Sequence, residues 1–304
     1  MSESVKGILA MVAACFIWGL SGLFYKEIAH VPPLEVLSHR TLWSLVYFLL
    51  LLSLQGRLQS LRQLVLDFKA LPVIAFASVM ISLNWFYFIY GVQVGRAVEA
   101  SLGYYMFPLI AVLLGMVMFG ERLRKLQWMA VGLAFIAVTI LTVGLKVVPV
   151  ISLILAVSFG LYGAVKKWIS AGPVLSVTVE VLLLAPLAFI WLWGVHTQGW
   201  QGLTGRAGGY FGTAWFETGM LMFAGVMTAT PLVLFSYASK RAPLATVGLV
   251  QYLNPTLQAC VAVFAFGEVF TLWHMIAFTL IWTGLAIYSF DGLRRETSLK
   301  VRQG

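Results

Sequence analysis

Ten separate stretches of this chain are apolar for roughly 20 residues each, the length an α-helix needs to cross the hydrocarbon core of a bilayer. They fall at residues 5–25, 34–54, 70–92, 98–119, 126–144, 149–167, 174–194, 214–238, 244–266 and 272–290. The runs are continuous. Strands of a membrane barrel would be shorter and would alternate apolar with polar residues. The pattern predicts an all-α polytopic membrane protein of ten transmembrane helices. Composition agrees, because 61% of the residues are apolar and only 10% are charged. A soluble domain carries about 25% charged residues, so lipid must cover this surface. The first run is longer than the apolar core of a secretory leader and ends without a small-residue cleavage site, so it reads as the first span.

The net charge of +9 does not point to nucleic acid, because Lys and Arg occupy the short breaks between apolar runs. With the N-terminus in the cytoplasm, fifteen of the 20 basic residues lie in inside segments and five, Lys26, Arg40, Arg96, Lys146 and Arg206, do not. The positive-inside rule then puts both termini in the cytoplasm, as an even number of spans requires. Cys15 and Cys260 both sit inside apolar runs and suggest neither a disulfide framework nor a zinc site. No metal and no cofactor is expected.

The chain repeats itself. A shift of 141 places Trp18-Gly19 over Phe159-Gly160, Gly22 over Gly163, Lys26 over Lys167 and Pro32 over Pro173. A shift of 145 places Arg96-Ala97 over Arg241-Ala242, and one of 147 places Tyr105 over Tyr252, Pro108 over Pro255 and Phe119-Gly120-Glu121 over Phe266-Gly267-Glu268. The expected units are residues 1–146 and 147–304. Each holds five spans, an odd number, so the second half must run inverted through the membrane. Glu121 and Glu268 then cap or anchor span ends on opposite faces. Inverted repeats suit alternating access, because exchanging the conformations of the halves turns inward-open into outward-open. Duplication without mechanical use is the alternative.

Polar residues deep in a span are costly and need a reason. Arg40 lies several residues inside the second run, and Glu180 lies at matching depth in the seventh. They are read as facing a central cavity, either as partners or as substrate contacts; an ion pair that only locks helices competes with this. Asn84 opens the run Asn84-Trp85-Phe86-Tyr87-Phe88. Gln251 and Tyr252 precede Asn254-Pro255, where a proline inside a helix frees the carbonyl four residues earlier. Trp85, Tyr87, Tyr104 and Tyr105 have polar neighbours and complete a candidate cradle, with Glu99 near the start of the fourth run. A plain kink satisfied by neighbouring helices competes with the cradle. Glu99 and Glu180 are the acids through which proton coupling would run. Glycines at 19, 22, 160 and 163, and the Gly91/Gly95 pair, read as helix-packing positions. Lys26 and Lys167 read as span-end residues, and His196 and His274 as peripheral.

Enzyme motifs such as H-E-x-x-H, the P-loop and G-x-S-x-G are missing, so any pumping uses an ion or solute gradient. The stretches His39-Arg40 with Trp43-Ser44, Asn84-Trp85, Glu99-Ala100-Ser101-Leu102-Gly103-Tyr104-Tyr105 with Pro108, Glu121-Arg122-Leu123, Tyr162-Gly163 and Gly248-Leu249-Val250-Gln251-Tyr252 with Pro255 and Glu268 resemble the drug/metabolite transporter superfamily. Within it the chain resembles the RarD, or chloramphenicol-sensitive protein, group of permeases with two EamA-type halves. The resemblance implies a bacterial inner-membrane permease working by alternating access on small metabolites, as an exporter of amino-acid-like or drug-like solutes. It is expected to be a monomer or weak dimer. An enzyme acting on a lipid-linked substrate and a passive channel are the alternatives.

Overall fold

The computed structural model describes residues 2–303 apart from 121, 122, 124, 147 and 243. Glu121, Arg122 and Arg124, expected at the inner end of the fourth span, thus lie outside the described residues. The described residues form the helices α1 (Glu3–Glu27), α2 (Pro33–Leu54), α3 (Leu58–Val65), α4 (Leu71–Gln93), α5 (Ala97–Phe119), α6 (Lys125–Leu145), α7 (Val150–Lys166), α8 (Pro173–Gln198), α9 (Trp215–Ser239), α10 (Leu244–Gln251), α11 (Leu253–Cys260) and α12 (Leu272–Gln303). Seven of these are long and apolar enough to cross a membrane, and shorter apolar helices cover Val150–Lys166, Leu253–Ala265 and Leu272–Tyr288. Large apolar side chains such as Phe135, Leu187 and Phe189 are exposed, as a lipid-facing surface requires.

Two features differ from the sequence reading. The ninth run is not one helix: it breaks at Tyr252 between α10 and α11 and ends in a π-helical turn at Val261–Ala265. Pro255 has no N–H to return to the Gln251 carbonyl, which accounts for the break. Thr256 bridges it, its hydroxyl donating to the Tyr252 carbonyl at 2.7 Å. The second feature is α3, which has no counterpart among the apolar runs. Its leucines recur at helical spacing, and Leu61 is buried with Leu52, Ile74, Leu175 and Val179 under the α2–α4 connection.

Small residues set the closest approaches. A Cβ on Gly225 of α9 would lie 2.4 Å from the Trp43 carbonyl carbon of α2, and one on Gly103 of α5 would lie 2.7 Å from the Ser152 carbonyl oxygen of α7. Gly103 belongs to the Glu99–Tyr105 stretch, whereas nothing in the sequence spacing marks Gly225. The Gly91/Gly95 pair is not a packing motif: Gly95 has φ +71° and open space around it, so it turns the chain out of α4.

The helices pack in matched sets. α5 lies on α7 while α11 lies on α1, α4 lies on α7 while α9 lies on α1, and α2 lies on α9 while α8 lies on α4. α6 pairs with α12 and α2 with α8. At opposite ends of the bundle, Lys26 sits over the Phe266 ring at 5.4 Å and Lys167 over the Phe119 ring at 4.4 Å.

Candidate central cavity and its closed face

The bundle encloses a cavity of about 810 Å³. It reaches the end where α7 finishes at Lys166 and α8 starts at Pro173. The opposite end is stoppered by residues 199–214. Arg206 donates to the Ala29 carbonyl at 2.6 Å and to Gln93 Oε1 at 2.8 Å. Glu35 accepts from the amides of Gly209 at 2.9 Å and Tyr210 at 2.8 Å, which brings the Phe211 ring onto His39 at 4.6 Å. On the same face the Glu268 carboxylate accepts from the Ala97 and Val98 amides at 2.7 and 2.8 Å. These are free N–H groups of the first turn of α5, a natural carboxylate site. Glu268 therefore caps a helix, and its partners are backbone amides.

Arg40 is buried and lines the cavity. One Nη donates to the Tyr25 hydroxyl at 2.7 Å, and the guanidinium lies 4.3 Å from the centre of the Trp85 ring. Its Nε has no partner, and among the described residues no carboxylate lies within ion-pair distance of it. A cation held in such a place without a counter-charge is expensive. Gln258 supplies the complementary vacancy. It lines the same cavity, its amide donates to Asn254 Oδ1 at 3.1 Å, and its Oε1 is buried without a partner.

Arg40 and Glu180 are not ion-pair partners. Glu180 is fully buried and pairs with Lys166, whose ammonium also donates to the Ser176 hydroxyl at 2.6 Å. Tyr162 donates to the other Glu180 oxygen at 3.1 Å. Lys166 and Tyr162 line the cavity and Glu180 sits behind them. Such a network answers the charge of the acid locally, so it needs no solute to neutralise it.

Among the remaining expected residues, Asn84, Trp85, Tyr104, Gln251 and Tyr252 line the cavity. Asn84 is already occupied: Tyr104 donates to its Oδ1 at 2.7 Å, and its amide donates to the Leu155 carbonyl at 3.0 Å and Ser158 at 3.3 Å. It ties α4 to α5 and α7 and aims the Tyr104 ring. Tyr87 falls on another face of α4, against Phe86 and Tyr90. Tyr105 is buried away from the cavity, bonded to Thr256 at 2.5 Å and packed on Phe278. Glu99 stitches α5 to α7, accepting from the Ile151 amide at 2.8 Å and pairing with Arg96 at 2.5 Å. Helical spacing explains the split, since neighbours in sequence point to different faces. Sequence reasoning missed Tyr25, Tyr162 and Lys166. It also passed over Trp18 and Phe159 as site residues, although the 141 shift superposes them and both line the cavity.

Residues 5–143 match the EamA-like transporter family, and residues 148–290 match it again. The chain belongs to the EamA-like transporter family. Protein RarD of Salmonella typhimurium is 38% identical over 291 residues, covering 96% of this chain and 97% of that protein. Protein RarD of Escherichia coli K12 is 35% identical over 299 residues, covering 97% and 98%. The Chloramphenicol-sensitive protein RarD of Pseudomonas aeruginosa is 27% identical over 298 residues, covering 97% of each. This EamA-family chain is thus RarD-type, a bacterial membrane transporter with several apolar spans. A solved crystal structure shares its fold at TM-score 0.58 and 19% identity, over 93% of this chain and 96% of that one.

Proposed function

We propose that this transporter is a secondary-active permease that exports small amphipathic, amino-acid-like solutes by alternating access. It crosses the bacterial inner membrane ten times, as two inverted five-helix halves at residues 1–146 and 147–304, with both termini in the cytoplasm. The helix pairings support the inverted plan, because the main cross-half pairings have counterparts when the halves are exchanged. The two lysine–phenylalanine contacts support it too. Lys26 corresponds to Lys167 and Phe266 to Phe119, yet the contacts lie at opposite ends of the bundle. With the basic loops inside, the stopper of residues 199–214 faces outward and the cavity described here is the inward-facing one.

The observation that carries the substrate class is the pair of vacancies in an aromatic wall. Arg40 offers an unanswered positive charge and Gln258 an unanswered acceptor. A carboxylate suits the first and an amine N–H the second, while Trp18, Trp85, Tyr104 and Phe159 take an apolar side chain. The cavity lies within the range of small-molecule sites, about 300–1,000 Å³. Purified protein should bind aromatic amino acids saturably, and the N-acetyl or methyl-ester forms should bind at least ~10-fold more weakly, the loss of one hydrogen bond to a charged group. Equal binding of all three forms contradicts the proposed solute.

A further inference from the structure

We propose that Glu35, His39 and His196 form a binding site for a divalent transition metal of zinc type on the face closed by residues 199–214. Glu35 and His39 are four residues apart on α2, which places them on one helix face. His196 comes from the last turn of α8. One donor atom of each lies within 4.8 Å of the others. Tetrahedral zinc with bonds of 2.0–2.1 Å wants donors about 3.3 Å apart. The exposed His196 ring supplies that adjustment by rotation about its side-chain bonds.

Two further observations point to a ligand. First, His39 Nε2 is buried without a partner, and the Phe211 ring stacked at 4.6 Å fixes the imidazole plane. Buried ring nitrogens are rarely left unanswered. Secondly, Glu35 is fully buried, and among the described residues no cationic side chain lies within ion-pair distance of it. Its oxygens accept from the amides of Gly209, Tyr210 and Phe211, the last at 3.4 Å. A carboxylate has about four acceptor sites, so one remains for a metal.

The repeat sharpens the argument. The shift of 141 superposes Glu35 on Ser176, His39 on Glu180 and Tyr25 on Lys166. At the Lys166 end the lysine supplies the cation that Glu180 needs. At the other end Tyr25 stands in the lysine's place, and its hydroxyl is taken by Arg40. The Glu35 cluster therefore has no built-in cation, and a two-histidine, one-carboxylate set with an open fourth position suits zinc. The metal would join α2 to α8 and, through Glu35, to the 209–211 turn, holding the stopper down. The expectation of no metal site came from the two cysteines; the histidine–carboxylate pair at i, i+4 was the signal it passed over.

The test is a Zn²⁺ titration of the purified full-length chain without a histidine tag, repeated with Co²⁺ and read by visible absorption. One equivalent should bind, Co²⁺ should give the intense bands of a tetrahedral site, and His196→Ala and His39→Gln should each weaken Zn²⁺ binding at least ~10-fold. His274→Ala should leave it unchanged. His196 is exposed, so its replacement tests the site even if His39→Gln fails to fold. No saturable binding, or binding that survives His196→Ala, overturns the proposal. The readout is metal binding and not flux, so it stands or falls separately from the solute assignment.

Discussion

The guanidinium of Arg40 lies 4.3 Å from the centre of the Trp85 ring, while Glu180, the acid at matching depth in the other half, is held by Lys166. The two deep charges thus have different standing. One is answered within the protein and the other waits in a cavity. Removing an unpaired buried cation relieves a cost, so Arg40→Met should leave the melting temperature unchanged or raised. Solute binding should fall ~10- to 100-fold, the worth of a hydrogen bond to a charged group. Arg40→Lys should recover part of it, since an ammonium keeps the charge but loses the fork. A melting temperature that collapses in Arg40→Met would make Arg40 a structural residue.

Lys166 and Glu180 should behave in the opposite way. Breaking a buried pair from one side leaves an uncompensated charge and costs about 3–5 kcal/mol. Lys166→Met and Glu180→Gln should each lower stability on that scale. The double variant should regain most of the loss. Thermal unfolding of the four proteins gives the coupling directly, and additive losses would remove the pair from the account.

Much of this is legible in the amino-acid sequence. Helices need only apolar length in a bilayer, so the runs announce themselves, and the matched glycines Gly19 and Gly160 sit at tight contacts, where an added Cβ would lie 2.6 Å from Leu257 and 2.9 Å from Ile110. Which face of a helix meets the cavity is a different matter. A helix apolar on all sides carries no amphipathic stripe, so Asn84 and Trp85 could not be separated from Tyr87, nor Tyr104 from Tyr105. Lys166 was passed over because a lysine near a helix end normally reaches the headgroups; here it folds back to Glu180, which only a tertiary contact could reveal. Glu35 was missed for a similar reason. It stands in the first turn of α2, where an acid is ordinary, and its burial depends on a loop 174 residues away.

Glu268, just past the π-helical turn at Val261–Ala265, ties the second half to the first turn of α5 on the closed face. Glu268→Gln should keep the fold but weaken that cap by about 1–2 kcal/mol. If outer closure depends on it, the outward-open population rises by a factor of roughly 5–30. A cysteine placed at Met227 on the cavity wall, with Cys15 and Cys260 replaced, should then react faster with an impermeant maleimide from outside. An unchanged rate would show that Glu268 caps a helix without governing access.

The topology has its own check. Leu203 and Phe68 are both exposed, the first in the 199–214 segment and the second between α3 and α4. In cysteine-replaced protein, Leu203→Cys should label with an impermeant maleimide in intact cells and Phe68→Cys only after permeabilisation. The reverse pattern would invert the molecule and make the cavity face outward.

Flux in liposomes tests the central claim most directly. Vesicles carrying the wild-type chain should take up a labelled aromatic amino acid saturably. Uptake should accelerate when the unlabelled solute is loaded inside, because a carrier returns faster when occupied. Arg40→Met vesicles should show neither behaviour. Linear, non-saturable flux without acceleration, or flux undiminished in Arg40→Met, would contradict alternating access around Arg40.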